Sequence, residues 1–111
     1  MTNQSEKWVT VALVNEVSPG SVCATSIRDR QIAVFNVNGT FYITDDLCTH
    51  AYARLSAGFL EDHEIECPLH FGRFDVRTGK GLCEPIISDL RTYKVRVEGE
   101  NVQMLDEDDT S

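Results

Sequence analysis

The chain has 111 residues, enough for one compact domain with its own core and too few for a second. A hydrophobic fraction of 41% is that of a folded protein, yet no run of about eighteen apolar residues exists to span a membrane, and MTNQSEKWVT lacks the basic start and apolar stretch of an export signal. The formal net charge of -8 would be repelled by nucleic acid and by anionic membranes, so neither is an expected partner, and a cytoplasmic protein is the default expectation.

In chain order, WVTVALV and SVCATSI are rich in β-branched residues and flank NEVSPG, whose Pro19-Gly20 pair marks a turn. QIAVFNV and TFYITD follow on either side of Asn38-Gly39, a strong hairpin signal. From Asp46 to about Pro85 the chain is loop-rich, with short strand candidates AGFLE, EIECP and RFDVRT and the turn TGKG. Strand patterns resume in TYKVRVEG and VQMLD around Gly99-Glu100, and the acidic LDEDDTS reads as a solvated tail. No stretch shows a sustained period of 3.6, so helix should be minor. The middle segment thus looks inserted into an all-β frame.

All three histidines and three of the four cysteines, Cys48, Cys67 and Cys83, lie in that middle segment. In a reducing compartment cysteines hold metal or sit in a core more often than they form disulfides. Cys48 and His50, followed by Cys67 and His70, form the pattern C-x-H-x16-C-x2-H. Each short loop offers one sulfur and one imidazole donor. Such a set can close one tetrahedral zinc site or divide its sulfurs and nitrogens between two irons. Structural zinc sites usually pair like ligands locally, with the second pair on a helix; both loops here are mixed and no helix is indicated.

The two complete half-motifs resemble the Rieske [2Fe-2S] signature. The resemblance implies that Cys48 and Cys67 ligate one iron and His50 and His70 the other, as cofactor-binding and metal residues of a single cluster. Two sulfur and two neutral imidazole ligands leave the oxidised cluster near zero formal charge, against about -2 for four thiolates, so an added electron costs less. In the respiratory and photosynthetic branch each loop also carries a cysteine of a clamping disulfide; here those positions hold Ala53 and Leu69. That branch places hydroxyl donors where Gly72 and Phe74 stand, and their loss implies a potential at the low end of the Rieske range, roughly -150 mV.

The loops together with GRFDVRTGKGLCEP are similar to the small Rieske ferredoxins of bacterial aromatic-ring-hydroxylating dioxygenase systems. This implies an antiparallel β-sandwich with a smaller cluster-binding subdomain at about 46–86, within a single domain 1–111 that has disordered tails at about 1–5 and 106–111. It also implies a monomeric one-electron carrier, not an enzyme, working between an NAD(P)H-dependent flavin reductase and a terminal oxygenase. The chain departs from the family at Ala51–Arg54, which bears on the partner and not on the cluster. A Rieske small subunit of a nitrite reductase or arsenite oxidase, and a zinc-stabilised interaction module, are the competing readings.

Other residues are expected to do less. His63 reads as a solvated turn residue, Cys23 as a small buried hydrophobe, and Cys83 as outside a ligand set that is already complete. Trp8, Phe35, Phe41, Tyr42, Phe59 and Phe74 are expected in the core. Tyr52 and Phe71, beside ligands, either shield the cluster or touch a partner.

Overall fold

The computed structural model describes residues 7–48, 53–68, 72–82 and 89–106. Among the described residues ten strands form three antiparallel sheets, and the only helical pieces are 3₁₀ turns at Val14–Glu16 and Leu55–Ala57. The first sheet has the order β1-β10-β9, with β1 at Trp8–Leu13, β9 at Val95–Glu98 and β10 at Asn101–Leu105. The second has the order β2-β3-β4-β8, with β2 at Val22–Ile27, β3 at Arg30–Val37, β4 at Thr40–Asp45 and β8 at Thr92–Tyr93. The third is small, β5-β6-β7, from Phe59–Glu61, Glu64–Glu66 and Arg73–Asp75. An antiparallel all-β protein with few helical turns is what the strand patterns predict.

Turn chemistry sets the registers. Asn38 and Gly39 both have positive φ, 53° and 94°, which is the type I′ geometry whose twist suits a two-residue hairpin between Val37 and Thr40. The β2–β3 turn is equally short, with Ile27 paired to Arg30 and Arg28 at φ 58°. TYKVRVEG, read as one strand, is two: β8 belongs to the second sheet and β9 to the first. Lys94 is the crossing point, its carbonyl accepting the Leu105 N–H at 3.0 Å.

Strand β3 explains why the layers stack as they do. Its residues from Ile32 to Asn36 are all buried, with Ile32–Phe35 a continuous apolar run in place of an alternation, as a strand covered on both faces requires. Ile32 and Val34 join Ala12, Phe41, Ile43, Val102 and Met104 in the core between the two larger sheets. Ala33 and Phe35 point the other way, into a second core with Cys48, Leu55, Ile65, Cys67, Phe74 and Leu90. The β5-β6-β7 unit is therefore built on the back of the sandwich wall.

Three expectations need correction. Phe59 is 64% exposed, because strand alternation sends the adjacent Leu60 inward and Phe59 outward. Trp8 is only half-buried and lies under the Arg96 guanidinium, 4.5 Å from the ring centroid. Asp106, read as the first residue of the tail, is 5% exposed, donates its N–H to the Lys7 carbonyl at 2.8 Å and pairs with Arg28 at 2.9 Å, so the ladder holds the chain through this position. The remainder of both tails lies outside the described residues. Cys23 is half-buried against the first core, and His63 sits in the two-residue turn between β5 and β6.

Tyr93 fastens β8 to β4. Its hydroxyl donates to Asp45 Oδ1 at 2.5 Å, and the guanidinium groups of Arg91 and Arg30 lie 5.0 Å and 5.9 Å from its ring centroid. Burial first, and then the Asp45 carboxylate, push the phenol up from 10.0 to about 12. The unfolded chain therefore loses this proton at lower pH than the folded one, so the contribution is complete below pH 10 and lost as pH rises to about 12. Denaturant titrations at rising pH should show a fall in stability across this window that is smaller in Tyr93→Phe; equal falls in the two proteins would contradict the assignment.

Candidate metal centre

The two cysteine motifs fall on two hairpins that close in the same way. In the first, Asp46 and Leu55 are joined by a 2.7 Å bond from the Leu55 N–H, Leu47 bridges Arg54, and the Cys48 N–H donates to the Ala53 carbonyl at 3.0 Å. In the second, Ile65 pairs with Phe74, Glu66 pairs with Arg73, and the Cys67 N–H donates to the Gly72 carbonyl at 2.7 Å. Each cysteine thus opens a six-residue loop whose last carbonyl its own amide ties down.

Both cysteines face inward, Cys48 6% and Cys67 0% exposed, in the same apolar cluster. Such burial excludes water from the sulfurs and lowers the local dielectric, which strengthens hydrogen bonding and charge interactions there. His50 and His70 occupy the third and fourth positions of their loops in sequence and lie outside the described residues, as do Tyr52, Leu69, Phe71, Cys83 and Pro85. Two buried cysteines in one apolar cluster, each heading a loop whose sequence also carries a histidine, fit a donor set of two sulfurs and two imidazoles that would hold an iron–sulfur cluster. Ala53, where the clamping cysteine would stand, is half-buried against the same cluster.

The Rieske [2Fe-2S] domain model matches residues 7–94. The ferredoxin component of the naphthalene 1,2-dioxygenase system of Pseudomonas aeruginosa is 46% identical over 100 residues, covering 90% of this chain and 96% of that protein. The chain belongs to the Rieske [2Fe-2S] family. Among solved structures, the Sphingomonas yanoikuyae B1 ferredoxin superposes with a TM-score of 0.87 at 33% identity over 91% of this chain and all of that one. The ferredoxin in a complex of reduced oxygenase and oxidized ferredoxin from carbazole 1,9a-dioxygenase gives 0.83 at 34%, over 88% of this chain and 92% of that one. This Rieske protein is accordingly an electron carrier of the ferredoxin type, with a [2Fe-2S] cluster as its redox group, and not itself a catalyst.

Asp46 is a supporting residue that sequence reasoning did not single out. It is 0% exposed, two positions before Cys48, and its carboxylate accepts the Ser56 N–H at 2.7 Å and the Ser56 hydroxyl at 2.9 Å. Arg54 Nη1 lies 3.7 Å from the same carboxylate and donates to Gln31 at 3.0 Å. The Asp46 amide in turn donates to the Gln31 carbonyl at 2.9 Å, so the first loop is anchored to β3 and to the following 3₁₀ turn. An aspartate near a cysteine is common in loops, and only its long-range partner Ser56 reveals the role.

Gly58 supports the second loop. A Cβ there would lie 2.1 Å from the carbonyl oxygen of Glu66, the residue immediately before Cys67. That oxygen belongs to the β6 backbone and cannot yield without moving the loop. Beyond it, Asp75 is held by a bidentate pair with Arg77, whose hydrogen bonds keep the carboxyl below its ordinary range. Gly58→Ala should lower the thermal midpoint by an amount corresponding to about 1–3 kcal/mol of overpacking and hasten bleaching of the visible spectrum under chelator. An unchanged midpoint and bleaching rate would show that the close approach is unimportant.

Proposed function

We propose that this Rieske protein is the mobile carrier of a multicomponent aromatic-ring dioxygenase system, taking electrons one at a time from an NAD(P)H-dependent flavin reductase and passing them to the terminal oxygenase. Cys48 and Cys67 hold one iron and His50 and His70 the other. When bound, the cluster takes up and gives up a single electron. The working unit is a cytoplasmic monomer, one domain of residues 1–111 with its cluster-binding part at about 46–86. The equal closure of the two cysteine loops supports this reading most directly: both cysteines are buried in one apolar cluster, each with its amide bonded to the carbonyl five residues on.

The relatives favour the carrier over the alternatives. A protein 46% identical is a ferredoxin component, and a solved ferredoxin 34% identical is in complex with its oxygenase. A zinc module would share the four donors but not the family's redox role. Among the described residues no helix is long and apolar enough to cross a membrane, in keeping with a carrier that diffuses between partners.

Phe74 is fully buried and carries no hydroxyl, and Gly72 is buried without a side chain. Neither side chain can donate to a cluster sulfur, so the reduced state lacks the stabilisation that a hydroxyl at either position would give, and the potential stays low. Voltammetry should give a midpoint roughly at the low end of the Rieske range, near -150 mV. Reconstitution with a flavin reductase and a naphthalene-type oxygenase should restore NAD(P)H-dependent hydroxylation, and His70→Ala should abolish it together with the red-brown colour. Hydroxylation at full rate without the protein, or with the His70→Ala variant, would refute the reading.

A further inference from the structure

The outer face of the β5-β6-β7 sheet is chemically unlike the rest of the subdomain. Inward, Leu60, Ile65 and Phe74 pack on the second core. Outward, the register aligns Phe59, Glu66 and Arg73 in one row and Glu61, Glu64 and Asp75 in the next. Phe59 is 64% exposed, the largest exposure among the big apolar side chains of the described residues. Arg73 sits among three carboxylates, 2.9 Å from Glu66, 3.1 Å from Glu64 and 3.6 Å from Glu61, so two negative charges there are left over. Asp62, exposed in the adjoining turn, adds to the excess.

An exposed aromatic ring inside a charged rim has the layout of a transient protein interface, with an apolar centre giving affinity and a rim giving orientation. Its place in the chain matters as much. Phe59 is paired with Glu66, and Glu66 precedes Cys67, so strand geometry sets a partner resting on Phe59 within about 10 Å of the backbone of a cluster ligand. We propose that this face docks a basic redox partner, with Phe59 entering an apolar cleft and Glu61, Glu64 and Glu66 meeting lysine or arginine side chains around it. The proposal rests on the carrier reading given above and assigns the surface that serves it. The charge excess selects a basic protein, and the single ring at its centre selects one with an apolar depression of matching size.

The test uses cytochrome c, a lysine-rich haem protein, as the electron acceptor, with the cluster-loaded full chain reduced beforehand and every variant checked for an unchanged visible spectrum. Phe59→Ser should slow the second-order transfer several-fold. Glu61→Gln with Glu64→Gln should slow it roughly fivefold at low salt, through lost steering. Glu98→Gln with Glu100→Gln removes the same charge from the end of β9 and the β9–β10 turn, on a different sheet, and should slow it less than twofold. Equal slowing by the two charge pairs, or full speed in Phe59→Ser, would overturn the docking face while leaving the carrier reading intact. Failure of the wild-type protein to reduce the probe would sink the carrier reading and the docking face with it.

Discussion

Two short hydrogen bonds set the geometry on which the rest depends: the amide of each motif cysteine returns to the carbonyl five residues on, at 3.0 Å for Cys48 and 2.7 Å for Cys67. Each bond closes a six-residue loop at its cysteine. Because the two hairpins close alike, their cysteines enter the same apolar cluster in the same way. The second motif residue falls at the third position of one loop and the fourth of the other, and Pro68 in the second loop lacks an amide hydrogen where the first has a threonine.

The loops are held in place by the sandwich, and β3 is the link. A strand with one wet face would leave the small sheet with nothing to pack on. By burying Ala33 and Phe35 on one side and Ile32 and Val34 on the other, β3 makes the two cores share a wall. Dispersion contacts across such a close-packed wall resist displacement, so Cys48 and Cys67 are backed by the larger sheets. Asp46 and Gln31 add a polar tie between the same wall and the first loop. Rigidity of this kind suits electron transfer, in which little should move as charge arrives.

Much of this was legible in the residues. The cysteine–histidine spacing that marks the family, the Asn38-Gly39 hairpin and the scarcity of helix all follow from local signals of two to eight residues. What was missed depends on distant partners. Asp46 is indistinguishable from a loop aspartate until Ser56 folds back onto it. Phe59 and Leu60 are adjacent apolar residues, and only the position of the core decides which of them turns outward. The division of TYKVRVEG at Lys94 is invisible because both halves have strand character and only sheet membership differs. The first tail residue, Asp106, shares its acidic composition with the residues after it but is caught by Arg28 and the Lys7 carbonyl.

The central claim is an unequal pair of irons, one with sulfur ligands from Cys48 and Cys67, the other with nitrogen from His50 and His70. A Mössbauer spectrum of the iron-57-enriched, dithionite-reduced protein addresses it directly. The account predicts two iron sites of equal area, one ferric and one ferrous, with the ferrous site carrying the nitrogen ligands and both signals lost when either histidine is replaced by alanine. Two equivalent irons in an all-sulfur environment, or a protein that holds zinc in place of iron, would contradict it.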